Sequence, residues 1–330
     1  MGSSQGESEC QASLMVQPRS EAPLYKYGTR SWERHSRSNV PKRLASAPNP
    51  PKVPSMSFLP LRPVPVSDSA ASLYQAWLAE LRESLADSDC DRNQLCRRYL
   101  TDIYYPQYSG ADLSTLPPTV RVALAQMDPR NVTLEPEYYG EIDLERYAPR
   151  KPLLWLWEMF DRSPLGENVE LGIHFRRVLA PYVFGSCGKN FKAFTHVRLS
   201  LGYNLHVGDN VVIHRHVLLD DRGGIEIGDG SSVSDFANVY SHSHNIVDGR
   251  IVYLPKTVIG SGVRITYHAT ILAGVHIADD SMVGAGSMLT RDTEPHWVYV
   301  GVPARKAKKK PADERAAKQP RTPDPMRDSD

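Results

Sequence analysis

The amino-acid sequence predicts a mainly β protein: a parallel β-helix of six-residue repeats, with a helical N-terminal module and disordered termini. Three observations carry this expectation. From Val207 to about Pro295 an aliphatic residue recurs in steps of six, often followed by Gly. Upstream of the repeats, apolar residues fall at helical spacing. At both ends Pro and charged or small polar residues crowd together without a period.

Residues 1–66 are rich in Ser, Pro and Arg, and the run from Pro48 to Pro54 suits neither a helix nor a central strand. This segment is expected to be disordered, with short apolar stretches around Tyr25 and Phe58 suited to docking. The start resembles a myristoylation signal but has Gly6 where Ser or Thr is wanted. Glu7, Glu9 and Glu21 weigh against a transit peptide, although organellar targeting stays open.

Residues 67–182 read as a mainly helical module. Leu73, Trp77, Leu81 and Leu85 form one stripe, with Leu78 beside it and Ser67, Asp68 and Ser69 as caps. Further helices are expected over 93–104, 118–127, 152–161 and 168–180. Trp155 and Trp157 read as core.

Residues 183–305 form the repeat domain. Its frames run Val207-Gly208, Ile213, Leu219, Ile227-Gly228, Val233 and Val239. They resume as Ile259-Gly260, Ile265, Ile271, Ile277, Val283-Gly284 and Leu289. Each short strand turns one aliphatic side chain inward, and three strands close a triangular coil of about 18 residues. No coil buries its own core, so coils must stack. Residues 306–330, basic and then polar, are expected to be a disordered tail.

Composition narrows the function. The 39 basic and 38 acidic residues nearly cancel, which gives no global electrostatic case for nucleic acid. No apolar run reaches the roughly 18 residues of a membrane span, so no membrane partner is expected. Cys10, Cys90, Cys96 and Cys187 have no regular spacing, which favours a reducing compartment, the cytoplasm.

The six-residue count breaks at residues 241–256, and insertions in repeat proteins commonly map to the binding face. The inserted segment opens with His242 and His244. His214, His216 and His268 lie in other coils, and stacking is able to bring distant histidines together. These residues admit three readings: solvated or capping side chains, a zinc site, or one histidine acting as general base.

The stretch 207–308 resembles the hexapeptide acyltransferases of the maltose and galactoside O-acetyltransferase type. Its most specific pieces are Val283-Gly284-Ala285-Gly286-Ser287-Met288-Leu289-Thr290-Arg291-Asp292 and Gly301-Val302-Pro303-Ala304-Arg305. The resemblance implies a left-handed β-helix, acetyl-CoA as co-substrate, no metal, a small-molecule acceptor, and a homotrimer with sites between subunits. It implies acetyl transfer to a hydroxyl of a sugar or other small acceptor. His244 falls where the family keeps its catalytic base, counted from Ile227-Gly228-Asp229, with His242 as runner-up. Free imidazole, with a pKa of about 6.5, suits that role near neutral pH. Asp221 matches the family's acidic residue beside the histidine, and Asp220 competes for the place. The backbone amide of Tyr267 falls at the family's oxyanion donor. His214 falls at the acceptor-binding Asn, with His242 and Asp220 as further acceptor ligands. Ala285 would line the pantetheine groove, and Thr290, Arg291, Arg305 and Lys308 would face the adenosine phosphates.

The chain departs from the family pattern at Val263-Arg264-Ile265-Thr266-Tyr267-His268, where relatives read Val-Trp-Ile-Gly. It departs again at Ile277-Ala278, where they read Ile-Gly. Two other functions remain as alternatives: a non-catalytic binding or scaffold protein, and a zinc-dependent lyase like the gamma-type carbonic anhydrases.

Overall fold

The computed structural model describes Arg62, residues 64–311 and Met326. The expectations for residues 1–61, and most of those for the tail beyond Pro311, lie outside the described residues.

Helix α1 spans Asp68–Ala86 because Ser67 caps it, its hydroxyl accepting the Ala70 N–H at 3.3 Å. Leu78, Leu81 and Leu85 are buried, but Leu73 is 67% exposed. Tyr74 takes its turn on the inward face, three residues before Trp77. Helix α2, Arg92–Tyr104, is capped by Asp91, which accepts from Asn93 at 2.9 Å and Gln94 at 3.3 Å. It buries Leu95, Cys96, Tyr99 and Leu100. Then come α3 (Pro118–Ala125), α4 (Leu144–Tyr147), α5 (Lys151–Asp161), α6 (Pro164–Glu167) and α7 (Val169–Val183). An aromatic core joins them: Trp77 lies 5.3 Å from Tyr99 and 5.5 Å from Phe175, centroid to centroid. Phe160 stacks on Phe175 at 3.8 Å.

From Ser186 the chain winds as a parallel β-helix of two- and three-residue strands on three sheets. Ile213, Val233, Ile265 and Val283 lie in consecutive coils of the second sheet, all fully buried. Each such side chain contributes roughly 1.5–3 kcal/mol of burial. The Gly-Asp corners have a steric cause. A Cβ on Gly208 would sit 2.1 Å from Asp229 Oδ1, the atom that accepts the Asp209 N–H at 2.7 Å.

The coils are not uniform. Val207 pairs with Ile227, twenty residues on, whereas Ile259 pairs with Ile277, eighteen on. The two extra residues sit where the third sheet turns into the first, between Leu219 and Ile225. The inserted segment 241–256 leaves from this same corner.

The C-terminal basic run corrects an expectation. Arg305–Lys309 is not the start of a disordered tail but a strand, antiparallel to Trp297–Val300. It pairs an edge that would otherwise be open, and Lys306 Nζ lies 4.9 Å over the Trp297 ring.

The helices meet the first coil through a buried ion pair. Arg176 Nε and Nη2 donate to Asp161 Oδ1 at 2.7 and 2.5 Å. Arg176 Nη1 donates to the Ala193 carbonyl at 3.2 Å, and Asp161 Oδ2 accepts the His196 N–H at 2.7 Å. Burial raises the Asp161 carboxyl above its usual range despite the guanidinium beside it.

Candidate functional site

The widened corner of the β-helix and helices α4 and α5 enclose a cavity of about 310 Å³. The coil side supplies Ser200, Asp220, Tyr240, His242 and His244, and the helical side supplies Tyr139, Tyr147 and Glu158. The inserted segment forms a hairpin in which Ser243–His244 pairs antiparallel with Val252–Tyr253. Its feet are tied to the coil: the Gly223 N–H donates to Ser241 Oγ at 2.9 Å, and Thr257 Oγ1 donates to the Tyr240 carbonyl at 2.6 Å. At its tip Asn245 Oδ1 accepts from Val247 and Asp248, while Ile246 and Val247 are exposed.

Gly223 allows this seating. A Cβ there would lie 2.1 Å from the Ser241 oxygen and 2.6 Å from the Leu254 carbonyl carbon, both backbone. Gly223→Ala should therefore displace both feet of the hairpin. Misplacement of a catalytic group by about 1 Å costs about 10²-fold, so any turnover that depends on the loop histidines should fall by about that factor. Far-ultraviolet circular dichroism should remain that of the parent, because the core strands are untouched.

The two loop histidines are held differently. His242 Nδ1 is hydrogen-bonded to Asp220 Oδ2, and Asp220 Oδ1 accepts from Ser200 Oγ at 3.0 Å. His244 Nδ1 lies 2.6 Å from the Gly249 carbonyl oxygen. A carbonyl only accepts, so Nδ1 carries a proton, and in the neutral ring Nε2 is then the nitrogen with the free lone pair. The rings meet edge to face, centroids 5.3 Å apart. His244 is exposed on the isolated chain.

Asp221 is a correction. It is fully buried and does not line the cavity; its oxygens accept the Leu201 N–H at 2.7 Å and the Asn204 N–H at 3.2 Å. Burial pushes its carboxyl up to about 6, against the lowering effect of those donors. Asp221 secures the turn of the preceding coil, and Asp220 is the acid hydrogen-bonded to His242.

The histidines of the other coils do not converge on this cavity. Residues 214, 216 and 268 occupy the corner between the second and third sheets, away from the one that carries the hairpin. His214 stacks on Phe194 at 5.1 Å and lines a separate recess with Arg215 and Asp235. Burial lowers its pKa. His196, His216, Phe236 and His268 form a ladder of stacked rings at 4.7, 4.7 and 5.0 Å, each at positive φ. Among the described residues no group of three or more His, Cys, Asp or Glu could hold a metal ion.

The expected donor-binding residues also lie apart from the hairpin within one chain. Tyr267 is 58% exposed at the second-to-third-sheet corner, and its carbonyl accepts the Gly286 N–H at 3.0 Å, beside the exposed Ala285. Thr290 and Arg291 follow the last strand of the third sheet, and Arg305 and Lys308 are exposed on the terminal strand. Tyr139, just after the turn at Glu135–Tyr138, and Tyr147 and Glu158, on α4 and α5, line the cavity from segments that carry no sequence motif. The sequence reading also passed over the eight-residue step from Leu219 to Ile227, which marks the widened corner. No described helix is long and apolar enough to cross a membrane.

No protein-family model matches the chain. It is 32% identical over 135 residues to the galactoside O-acetyltransferase of Escherichia coli (strain K12), covering 39% of this chain and 66% of that protein, just under two thirds. It is 29% identical over 180 residues to a putative acetyltransferase of Saccharomyces cerevisiae, covering 52% of this chain and 89% of that protein. Among solved structures, a maltose O-acetyltransferase from Clostridium difficile 630 aligns with a TM-score of 0.45 at 31% identity, covering 51% of this chain and 90% of that one.

Proposed function

We propose that the chain belongs to the hexapeptide-repeat, left-handed β-helix acyltransferases, near the maltose and galactoside O-acetyltransferases it resembles, and that it moves an acetyl group from acetyl-CoA to a hydroxyl of a small acceptor. The observation that carries the reading is the state of His244. Its Nδ1 proton is held by the Gly249 carbonyl, which leaves Nε2 as the base at the mouth of a cavity.

In this reading the acceptor sits in the cavity and gives its proton to His244 Nε2 as its oxygen attacks the thioester carbonyl. The C–O bond forms, the C–S bond breaks, and CoA leaves as the thiol once the proton has passed on. The His242–Asp220 pair lies beside the same position and orients the acceptor oxygen through His242 Nε2.

The separation of the two candidate groups supports a homotrimer. One corner carries His244 and His242, and another carries His214, Tyr267 and Ala285. A neighbouring copy that presents its second corner to the first would bring the Tyr267 amide and the Ala285 groove to the histidines. Thr290, Arg291, Arg305 and Lys308 would then face the phosphates of CoA, for which Arg and Lys are apt.

The test is a screen of thiol release from acetyl-CoA over sugars, other alcohols and amines. Turnover with at least one hydroxyl compound is expected. Absence of both turnover and acetyl-CoA binding by calorimetry would leave the chain as a scaffold on an inherited fold.

A further inference from the structure

Helix α2 carries a polar stripe that acyl transfer does not use. Gln94, Arg97, Arg98 and Thr101 stand at i, i+3, i+4 and i+7, opposite the buried Leu95, Cys96, Tyr99 and Leu100. An outward helical face is ordinarily polar and open to water. Here the chain turns back past that face at residues 108–111, and Leu113, Leu124 and Arg130 complete a recess of about 540 Å³. None of its residues lines the cavity of the loop histidines.

The recess is cationic, and one of its charges is unanswered. Arg97, Arg98 and Arg130 line it, and among the described residues no carboxylate does. Asp128, 7% exposed, fixes Arg130 from behind: its carboxylate accepts from Nε at 2.9 Å and Nη2 at 2.6 Å. That leaves the Nη1 donors of Arg130 over. Arg98 Nη2 stands 3.2 Å from Glu80, and both side chains are half-exposed, so that pair contributes little. Arg97 has no hydrogen bond or ion pair among the described residues. The nearby acids are occupied by their own turns. Asp91 caps α2, and Asp112 accepts from the Ser114 N–H and Oγ, both at 2.9 Å. Gly110, at φ +74°, leaves open space where a Cβ would stand, and its N–H has no backbone acceptor among the described residues.

The rest of the lining is apolar. Leu124 is 5% exposed, and Leu113 and the Tyr108 ring lie beside it. Three guanidiniums suit a phosphate, whose terminal oxygens accept several charge-assisted hydrogen bonds at once. The volume falls in the range of small-molecule sites. We propose that this recess binds a small phosphate monoester, with its phosphate on Arg97, Arg98 and Arg130 and its apolar body against Tyr108, Leu113 and Leu124. The site stands whether or not the chain transfers acetyl groups.

Calorimetry on the full chain at low salt, with phenyl phosphate as the probe, tests it. Phenyl phosphate should bind and phenol should not. Inorganic phosphate should bind about tenfold more weakly than phenyl phosphate, because it buries no ring. Arg97→Ala should lower the phenyl phosphate affinity by about tenfold, the worth of a hydrogen bond to a charged group. Its circular dichroism and thermal midpoint should match the parent, because the side chain pairs with no described residue. Affinity should fall as salt is added. Saturating CoA should not displace the probe. Failure of the parent to bind phenyl phosphate, or equal affinity in parent and Arg97→Ala, would overturn the site. Displacement by CoA would overturn it too, by placing the phosphate on the residues proposed to face the donor. Equal affinity for phenyl phosphate and inorganic phosphate would overturn the choice of a monoester.

Discussion

His244→Ala is expected to lower kcat for acceptor-dependent CoA release by about 10²–10⁴-fold, the usual worth of a positioned general base. KM for acetyl-CoA should change little, because in the proposed reaction the imidazole takes the acceptor proton and does not meet the nucleotide. His244→Gln tests the tautomer argument, since its amide can still satisfy the Gly249 carbonyl yet offers no basic nitrogen. It should be as slow as the alanine variant. His242→Ala should act differently. It removes the partner of Asp220 and leaves a carboxylate that is only 3% exposed with Ser200 as its remaining side-chain donor. The larger effect there should fall on KM for the acceptor. If His242→Ala abolishes turnover and His244→Ala does not, the base is the His242–Asp220 pair, and the hairpin histidine only flanks it. Sedimentation should show the same assembly in all three variants, because neither side chain packs in the core.

The contrast between these histidines was only partly legible in the sequence. The scaffold was legible because each coil admits one solution: an inward position tolerates only an aliphatic side chain, so Ile213, Val233, Ile265 and Val283 print the period directly. The site corner was legible through the hairpin insertion. The roles of the acids were not. Asp220 and Asp221 are neighbours of identical chemistry, and what separates them is the position of the Leu201 and Asn204 amides, which lie one coil earlier. That coil places two donors around Asp221 and turns Asp220 toward His242. The lysines after Arg305 read as solvated because charge dominates their composition. They form a strand because Trp297–Val300 has an edge to be paired. Tyr147 and Glu158 gave no signal. Helix α5 buries Leu153, Leu154, Leu156, Trp157 and Phe160, and a carboxylate among those apolar residues looks like a surface position until the β-helix is placed against it.

Arg176→Ala should have the largest effect on stability. Its guanidinium is 1% exposed and answers an Asp161 side chain that is 2% exposed. Removing one partner of a buried pair costs about 3–5 kcal/mol, because the other charge stays buried and uncompensated. At the 2–4 °C per kcal/mol typical of domains of 150–250 residues, the thermal midpoint should fall by on the order of 10 °C. The loss should depend on pH in a definite direction. Burial already raises the Asp161 carboxyl, and loss of Arg176 removes the main opposing influence. A carboxyl raised in the native state holds a proton that the unfolded chain has released, so stability declines as pH rises above the ordinary carboxylate range. The variant should therefore lie nearest the parent in mild acid and fall furthest below it near neutrality. Equal deficits at both ends of that range would mean the damage is lost packing, not an unpaired charge. Asp161 is the last residue of α5, three positions after Glu158, and its other oxygen holds the His196 amide in the first coil. The pair thus fixes the helical wall of the cavity against the β-helix. At a temperature where the variant is still folded, KM for the acceptor should rise more than KM for acetyl-CoA, because the wall that moves carries Tyr147 and Glu158 and none of the residues proposed to face the donor.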